Sequence, residues 1–425
     1  MKRTRRPRPA PSARGPARTA VVTIESIAAG GDGVARADGM VVFVPRTAAG
    51  DVAEIDLVPG ARFARGTLRA LRTPSPERVE PRCVHYTRDK CGGCQLQHLS
   101  YDAQLAAKAL IVSDAMERIA RRPVGATEVF PSDHPWNYRR KLTLALRRRG
   151  GSWIAGMHPH DDPGSVFALD DCPITSPRVL ALWRQVLAAS DDLPTAGELR
   201  GAVRVADDAA FFSLEGGDTW PHSERFFARV PDLDAVWWTP ITGARRRLHA
   251  RTAADDAGAG FLQVNREVAR ALVRSVVEAA MRFSPRSLID AYAGEGDFAL
   301  SLAPSGARMI TIESDESAAS KTARTLPEGS RAIAARVEDV LPSLLPVDLV
   351  ILDPPRTGVD ARVTSALESA AGSVRGIIYV SCDPATLARD LARMPSWHVE
   401  SLTCLDMFPQ TAHVESVCVL VPRAA

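Results

Sequence analysis

The sequence predicts an α/β chain: a doubly wound parallel sheet, finished by an antiparallel hairpin, preceded by a small β-barrel and a cysteine- and arginine-bearing middle. Three observations lead there. From Gly260 onward, strand-like and helix-like runs alternate, the pattern of a parallel sheet with crossover helices. Residues 20–72 are short alternating strands between Gly and Pro punctuation, the pattern of a small barrel. The last runs, Trp397 to Met407 and Val414 to Val421, read as two strands joined by a short loop.

A chain of 425 residues implies two or three domains. The boundaries read as a basic tail over 1–19, a barrel over 20–75, a central region over 76–255 and the α/β domain over 256–425. Hydrophobic content of 45% and charged content of 24% are those of a soluble protein. No apolar run reaches 18 residues, so no membrane partner is expected. No apolar segment follows the basic N-terminus, which argues against a secretory signal and for a cytoplasmic protein. Seven unevenly spaced cysteines point to metal binding or catalysis rather than disulfides.

The tail carries Lys2, Arg3, Arg5, Arg6, Arg8, Arg14 and Arg18 with no acid, and removing those seven charges takes the net from +3 to about −4. It is too polar to fold alone. It either grips phosphates without reading sequence or serves as a solubilising extension.

In the barrel segment, residues 21–27 alternate, Gly30-Gly31-Asp32-Gly33 turns, and 40–44 and 52–57 follow as strands. Pro74-Ser75-Pro76 is a linker. Next come Cys83, Cys91-Gly92-Gly93-Cys94 and, further on, Cys172; four such thiols suit either a zinc site or a 4Fe–4S cluster. Between 130 and 255 lie several strand-like stretches. Arg139, Arg140, Lys141, Arg147, Arg148 and Arg149 stand near Trp136 and Tyr138, a mixture of cations and rings that suits phosphates and unstacked bases.

The α/β domain opens with a helical run over 264–282. Ile289-Asp290-Ala291-Tyr292-Ala293-Gly294-Glu295-Gly296-Asp297 is a strand entering a glycine turn at the ligand crevice of such a sheet. Glu313 ends the next strand, where a carboxylate can take ribose hydroxyls. Asp339 is expected to end the third and meet an adenine amino group. The same glycines fit a loose dinucleotide fingerprint, so a nicotinamide enzyme is the alternative. Asp353-Pro354-Pro355-Arg356 ends the fourth strand and fixes an acid at the crevice.

Ser381-Cys382-Asp383-Pro384 ends the fifth strand and puts a thiol beside a helix N-terminus, a place expected to lower its pKa. Cys404 and Cys418, inside apolar strands, read as inert. Glu415, at the start of the last strand, can reach the crevice as a base. These parts suit one chemistry. A thiolate adds to carbon 6 of uracil, carbon 5 becomes nucleophilic and takes a methyl group, and a base removes the proton left on carbon 5. The uracil must first swing out of any stack.

The motifs together resemble the RNA 5-methyluridine methyltransferases of the TrmA/RumA (RlmD) family, in the branch with an N-terminal TRAM barrel. The likeness runs from about residue 20 to the end. It rests on the four cysteines, Phe261-Leu262-Gln263-Val264-Asn265, the glycine turn, Asp353-Pro354-Pro355-Arg356, Ser381-Cys382-Asp383-Pro384 and His413-Val414-Glu415. It implies a class I (Rossmann-like) methyltransferase domain and S-adenosylmethionine as donor. Gln263, Tyr292, Gly294, Gly296, Asp297, Glu313, Asp339 and Asp353 would line the donor site, and Phe261 would lie near the uracil. Cys382 would be the nucleophile and Glu415 the base, and Cys83, Cys91, Cys94 and Cys172 would hold a 4Fe–4S cluster.

The TRAM barrel implies large-subunit (23S) ribosomal RNA as substrate, acted on by a monomer. A transfer RNA T-loop is the alternative, and a non-catalytic RNA-binding protein is a further one. Three positions depart from the family: Asp383 and Asp297 stand where Asn is usual, and Gln410 where His is common. Asp383 adds a negative charge beside the thiol and is expected to raise its pKa.

Overall fold

The computed structural model describes residues 18–125, 127–251 and 263–423. All but the last two residues of the basic tail, and Phe261, lie outside them. By its internal contacts the chain divides into two compact units. The first comprises Met1–Pro81, Cys94–Ala107 and Gln410–Ala412; the second comprises Arg82–Gly93, Lys108–Pro409 and His413–Ala425.

In the first unit, β1 (Arg18–Thr23), β2 (Ser26–Ile27), β3 (Gly33–Ala37), β4 (Met40–Val44), β5 (Val52–Val58) and β6 (Ala64–Thr73) form one sheet in the order β1-β5-β6-β4-β3-β2. Burial alternates residue by residue along β5, so Ala53, Ile55 and Leu57 join Val22, Ile24, Val42 and Val44 in one apolar core. Beside this sheet the buried Asp51 carboxylate accepts the Ala48 and Ser75 amides and the Arg78 guanidinium. Gln410 holds a left-handed backbone at φ 69°. Its side-chain oxygen accepts the Gln104 amide at 3.0 Å, and its own N–H donates to the Gln104 oxygen at 3.0 Å.

The helices α1 (Val84–Thr87) and α2 (Tyr101–Arg118) precede β7 (Val129–Phe130). The central sheet of the second unit then assembles from β8 (Lys141–Arg149), β9 (Ser152–Met157), β10 (Phe167–Ala168), β11 (Glu198–Ala206), β12 (Ala209–Glu215), β13 (Ala235–Thr239) and β14 (Arg246–Ala250), in the order β10-β9-β8-β11-β12-β13-β14. Its apolar face packs with α3 (Pro177–Ala188) and α4 (Ser223–Arg229) in a core that includes Leu144, Leu146, Trp183, Phe212, Phe226 and Trp238. Ser176 starts α3 by accepting the Val179 amide, with proline at the first helical position where its missing N–H costs nothing.

The third sheet follows α5 (Arg266–Arg282), whose N-cap is Asn265. It is built from β15 (Ser287–Ala291), α6 (Asp297–Leu302), β16 (Arg308–Glu313), α7 (Glu316–Ala323), β17 (Arg331–Ala334), α8 (Val337–Leu344), β18 (Leu349–Leu352), α9 (Ala361–Ser369), β19 (Gly376–Ser381), α10 (Pro384–Ala392), β20 (Trp397–Leu405) and β21 (Glu415–Pro422). The order is β17-β16-β15-β18-β19-β21-β20-β7. The first five strands are parallel, and β21 runs antiparallel to both β19 and β20. The α/β sheet and its closing hairpin therefore stand as the alternation implied. The addition of β7, parallel to β20, was not legible, because a two-residue strand has no periodicity to read. No helix among the described residues is long and apolar enough to cross a membrane.

Candidate active site

The parallel strands deliver their carboxyl ends to one edge, which is where an open α/β sheet binds ligands. At the end of β15 the chain turns through Tyr292, Gly294 and Gly296, with φ of 63°, 55° and 84°, before entering α6. A Cβ on Gly296 would stand 2.6 Å from Cγ2 of Thr322, so this position excludes any other residue on both space and conformation. Glu313, ending β16, fastens the turn by accepting the Gly294 amide at 3.0 Å and the Asp315 amide at 2.8 Å.

Asp290 is a wholly buried acid inside an otherwise apolar strand. One carboxylate oxygen accepts the Ala299 amide at 3.0 Å, and the other is buried without a partner among the described residues. Burial, together with Asp353, Asp297 and Glu313, pushes its pKa up to about 7. Asp353 follows β18, and its N–H donates to the Ala291 carbonyl at 3.2 Å, which ties it to the end of β15. Burial and Asp297 push it, too, up to about 7. The loop beyond Asp353 is anchored by the buried Asp390, whose Oδ2 accepts the Val359 amide at 3.0 Å and the Tyr379 hydroxyl at 2.8 Å.

Cys382 follows β19 directly. Ser381 pairs with Ser416 across the antiparallel β19–β21 ladder, and the same register carried one residue on sets Cys382 opposite Glu415. Glu415 is buried, and burial with the Asp353 charge raises its pKa well above the usual carboxylate value, against the pull of Arg356. The Cys382 thiol is pushed up to about 11, first by burial and then by Glu415, with Arg356 opposing and Asp353 and Asp383 adding to the rise.

The expectation that the helix N-terminus lowers this thiol's pKa is thus corrected. Asp383 is the N-cap of α10 and accepts the Thr386 amide at 2.9 Å, so a carboxylate already occupies the positive helix end. The rise expected from the Asp383 charge is present. Cys404 and Cys418 are buried in β20 and β21, with burial raising their pKa to about 11 and about 12.

Asp339 needs a second correction. It does not end a strand: it lies in the first turn of α8, about half exposed and paired with Arg362 at 2.9 Å. The strand ends earlier because β17 is only four residues long. The buried acid here is Glu338, close enough to Tyr292 to raise the phenol's pKa after burial has done so. Asp297 is the first residue of α6, with its pKa raised by burial and by Glu295. Gln263 is half-buried just before α5.

Four residues carry no signal strong enough to assign them from sequence. Asp290 is visible there as a polar break in an apolar strand and as the start of the glycine-turn motif, with no role attached to it. Arg356, the cation acting on Cys382, Glu415 and His413, stands within a motif that suggests no role for it. Lys108 and Asp406 form a buried ion pair 298 residues apart, and Lys108 Nζ also donates to the Phe408 carbonyl at 3.1 Å. No local pattern announces that pair.

Cys83, Cys91 and Cys172 belong to the second unit and Cys94 to the first. Among the described residues, no group of three or more His, Cys, Asp or Glu side chains is arranged to hold a metal ion. The surroundings of the second-unit sulfurs nevertheless suit thiolate ligands. Backbone N–H groups of Tyr86 and His85 are directed at Cys83, that of Ile174 at Cys172 and that of Gly93 at Cys91, the last at 3.4 Å.

The basic surface is partly as expected. Tyr138 is buried, and its hydroxyl donates to the Pro409 carbonyl at 2.9 Å, so its ring is structural. Trp136 carries the Arg82 guanidinium at 5.3 Å and Trp153 that of Arg148 at 4.8 Å. Lys141 and Arg204 pair directly across β8 and β11, and with Arg200 and Arg245 they crowd the face of the central sheet opposite its core.

The crevice thus combines a thiol, a buried acid opposite it, and the buried Asp290 and part-buried Asp353 at a glycine turn. Acids lifted by burial and mutual repulsion favour a cationic ligand, because a positive charge lets them ionise. The sulfonium of S-adenosylmethionine fits that demand, and the unpartnered oxygen of Asp290 fits a ligand with a hydrogen to donate.

Residues 326–423 match the family model described as tRNA (uracil-5-)-methyltransferase. A protein of Thiobacillus denitrificans named 23S rRNA (uracil(1939)-C(5))-methyltransferase RlmD is 31% identical over 93% of this chain and 98% of its own length. Its namesake in Aromatoleum aromaticum is 33% identical over 93% of this chain and 98% of its own. The crystal structure of a Pyrococcus abyssi tRNA (uracil-54, C5)-methyltransferase with S-adenosyl-L-homocysteine superposes with a TM-score of 0.70. That similarity covers 94% of this chain and 99% of the other at 24% identity.

Proposed function

Because the chain belongs to the RNA 5-methyluridine methyltransferases, enzymes that move a methyl group from S-adenosylmethionine to carbon 5 of uracil in RNA, we propose that it modifies a uridine of large-subunit ribosomal RNA through a covalent adduct with Cys382. The nicotinamide alternative falls with the family. The ribosomal substrate is favoured by relatives named for 23S rRNA that match this chain over nearly their whole length. The transfer RNA alternative rests on the Pyrococcus abyssi enzyme, a likeness of fold at lower identity.

The observation that carries the mechanism is the placement of Cys382 next to Glu415, one residue beyond the last β19–β21 pair, with both feeling the Arg356 charge. Cys382 releases its proton to water, and its sulfur adds to carbon 6 of the flipped uracil. The carbon 5–carbon 6 electron pair moves onto the carbon 4 oxygen as an enolate. Bound S-adenosylmethionine would supply an electrophilic methyl group; carbon 5 takes it up as the enolate pair returns to form the carbon 4 carbonyl, the sulfur–methyl bond breaking to leave S-adenosylhomocysteine. The Glu415 carboxylate then removes the proton from carbon 5, and the sulfur leaves carbon 6 as the ring double bond returns.

Arg356 favours the ionised forms of both residues, and a positive charge in the donor site adds to that pull. Gln263, Tyr292, Gly294, Gly296, Asp297, Glu313 and Asp353 form the donor site, Asp339 standing at its margin, and Phe261 would meet the uracil. Cys83, Cys91, Cys94 and Cys172 would hold a 4Fe–4S cluster, supported by four thiols and the N–H groups aimed at three of them. A cluster held by these thiolates would bring to the chain iron–sulfur bonds whose potential their hydrogen bonds tune.

Two variants separate the steps. Cys382→Ala is expected to bind RNA and donor yet form no adduct and no product. Glu415→Gln is expected to attack and methylate, then stall as a protein–RNA adduct that survives denaturing electrophoresis and carries label from the donor methyl group. Product formation by Cys382→Ala sinks the covalent scheme. Wild-type turnover without adduct in Glu415→Gln removes Glu415 as the base.

A further inference from the structure

The end of the eight-stranded sheet away from Cys382 holds a cavity of about 450 Å³ between the loop after α2 and β20. Leu405 of β20 pairs with Glu415 near the crevice, whereas His398, at the cavity, pairs with Val421 near the opposite end of the hairpin. Six residues of strand separate the cavity-lining Val399 from Leu405, about 20 Å at roughly 3.3 Å per residue. The short β7 covers β20 only at Cys404 and Leu405, which leaves the outer edge along Val399 and Leu402 to face the cavity.

Three guanidiniums line this cavity: Arg121, Arg122 and Arg423. Arg122 is held in place by its Nη2, which donates to the Leu391 and Met394 carbonyls at 2.9 and 2.6 Å beyond the middle of α10. Among the described residues its Nη1 is buried with no partner. Arg423 is fixed through its backbone, its N–H donating to the Ser396 carbonyl at 2.8 Å, and its charge bears directly on Arg122. The nearby acids are engaged elsewhere: Glu400 by Arg282, and Glu368 by the amide and hydroxyl of Ser396. Among the described residues neither Arg121 nor Arg423 has a carboxylate partner, and both are exposed. Three guanidiniums at one cavity outnumber its single lining acid, Glu400, which Arg282 already holds; such an excess suits an anion, and the planar forks match a phosphate.

We propose that this cavity seats a backbone phosphate of the substrate RNA between Arg121 and Arg423, with Arg122 beneath, as an anchor about 20 Å from the reacting cysteine. The inference rests on the RNA-methylating reading. A stacked strand advances about 3.4 Å per nucleotide, so about six nucleotides span the distance from the target uridine. The anchor positions the RNA and reads no sequence.

The double variant R121Q/R423Q tests it, since both side chains are exposed and neither holds the fold. Binding of a ribosomal RNA fragment is measured against salt for wild type and variant, with methylation followed in parallel. For each phosphate that the variant no longer grips, the slope of log affinity against log salt should flatten by about 0.7 to 0.9, with the maximal methylation rate and the melting temperature kept. An unchanged slope in a wild type that methylates the RNA overturns the anchor and leaves the catalytic reading standing. Inorganic phosphate is the second arm: if it raises the melting temperature of the wild type but not of the variant while the RNA slope is unchanged, the site takes a free anion and the RNA proposal fails. A wild type that neither binds nor methylates RNA overturns the functional reading, and the anchor with it.

Discussion

At neutral pH the Cys382 thiol keeps its proton, with burial, Glu415, Asp353 and Asp383 all opposing ionisation and Arg356 favouring it. A free enzyme whose nucleophile titrates near 11 holds about a hundredfold less thiolate at pH 8 than an ordinary cysteine titrating at 9. The higher basicity makes each thiolate more reactive and returns roughly a factor of ten. Reaction of Cys382 with a disulfide reagent should therefore run about tenfold slower than a model thiol at pH 8. Its rate should rise close to tenfold per pH unit from 7.5 to 9.5. The Cys382 phase is identified by its absence from Cys382→Ser. A plateau near pH 8 contradicts the raised pKa. Asp383 contributes twice here, as the cap that starts α10 and as one of the charges that hold the thiol neutral.

Elements set the distances that these residues need. The β19–β21 register sets Cys382 opposite Glu415, and the link from Asp353 N–H to the Ala291 carbonyl joins the fourth strand's acid to the first strand's glycine turn. The chain between β20 and β21 is buried along most of its length, and the wholly buried Lys108–Asp406 pair is one of its fastenings. Breaking such a pair leaves an uncompensated buried charge, whereas replacing both partners removes the charge altogether. Lys108→Met should therefore cost about 3–5 kcal/mol by denaturant unfolding, and the double variant K108M/D406L should recover most of that loss. If the two single losses simply add in the double variant, the pair is not the fastening. Because this loop leads into Glu415, methylation by Lys108→Met should fall more steeply than its folded fraction.

For the molecule as a whole, the open question of chemistry is the metal. Protein purified without oxygen should be brown and contain iron and acid-labile sulfide, and Cys91→Ser should lose both. A colourless wild type carrying stoichiometric zinc would exclude the iron–sulfur cluster and leave the methyltransferase fold untouched. Chelation of the metal should lower the melting temperature, since a group that binds only the folded chain stabilises it.

The strand–helix alternation after Gly260, the closing hairpin and the motifs at the strand ends could all be read from the sequence. Each is a local pattern: an apolar period, a glycine turn, a proline pair. Glu313 ends its strand as expected because β16 carries a clear apolar run. Asp339 does not, since the four-residue β17 has too little pattern to fix where the strand stops and α8 begins. Tyr138 looked like a surface ring beside a run of cations, and only packing revealed that it is buried on the Pro409 carbonyl. The sequence by itself therefore determined which residue types stand at which strand ends, because side-chain chemistry and short-range periodicity are written locally. Tertiary structure alone decided which charges meet: Asp290 with Asp353, Cys382 with Glu415 and Arg356, Lys108 with Asp406. Burial and mutual charge act through space, between residues the chain holds far apart, and they raise the pKa of Asp290, Asp353, Cys382 and Glu415 together.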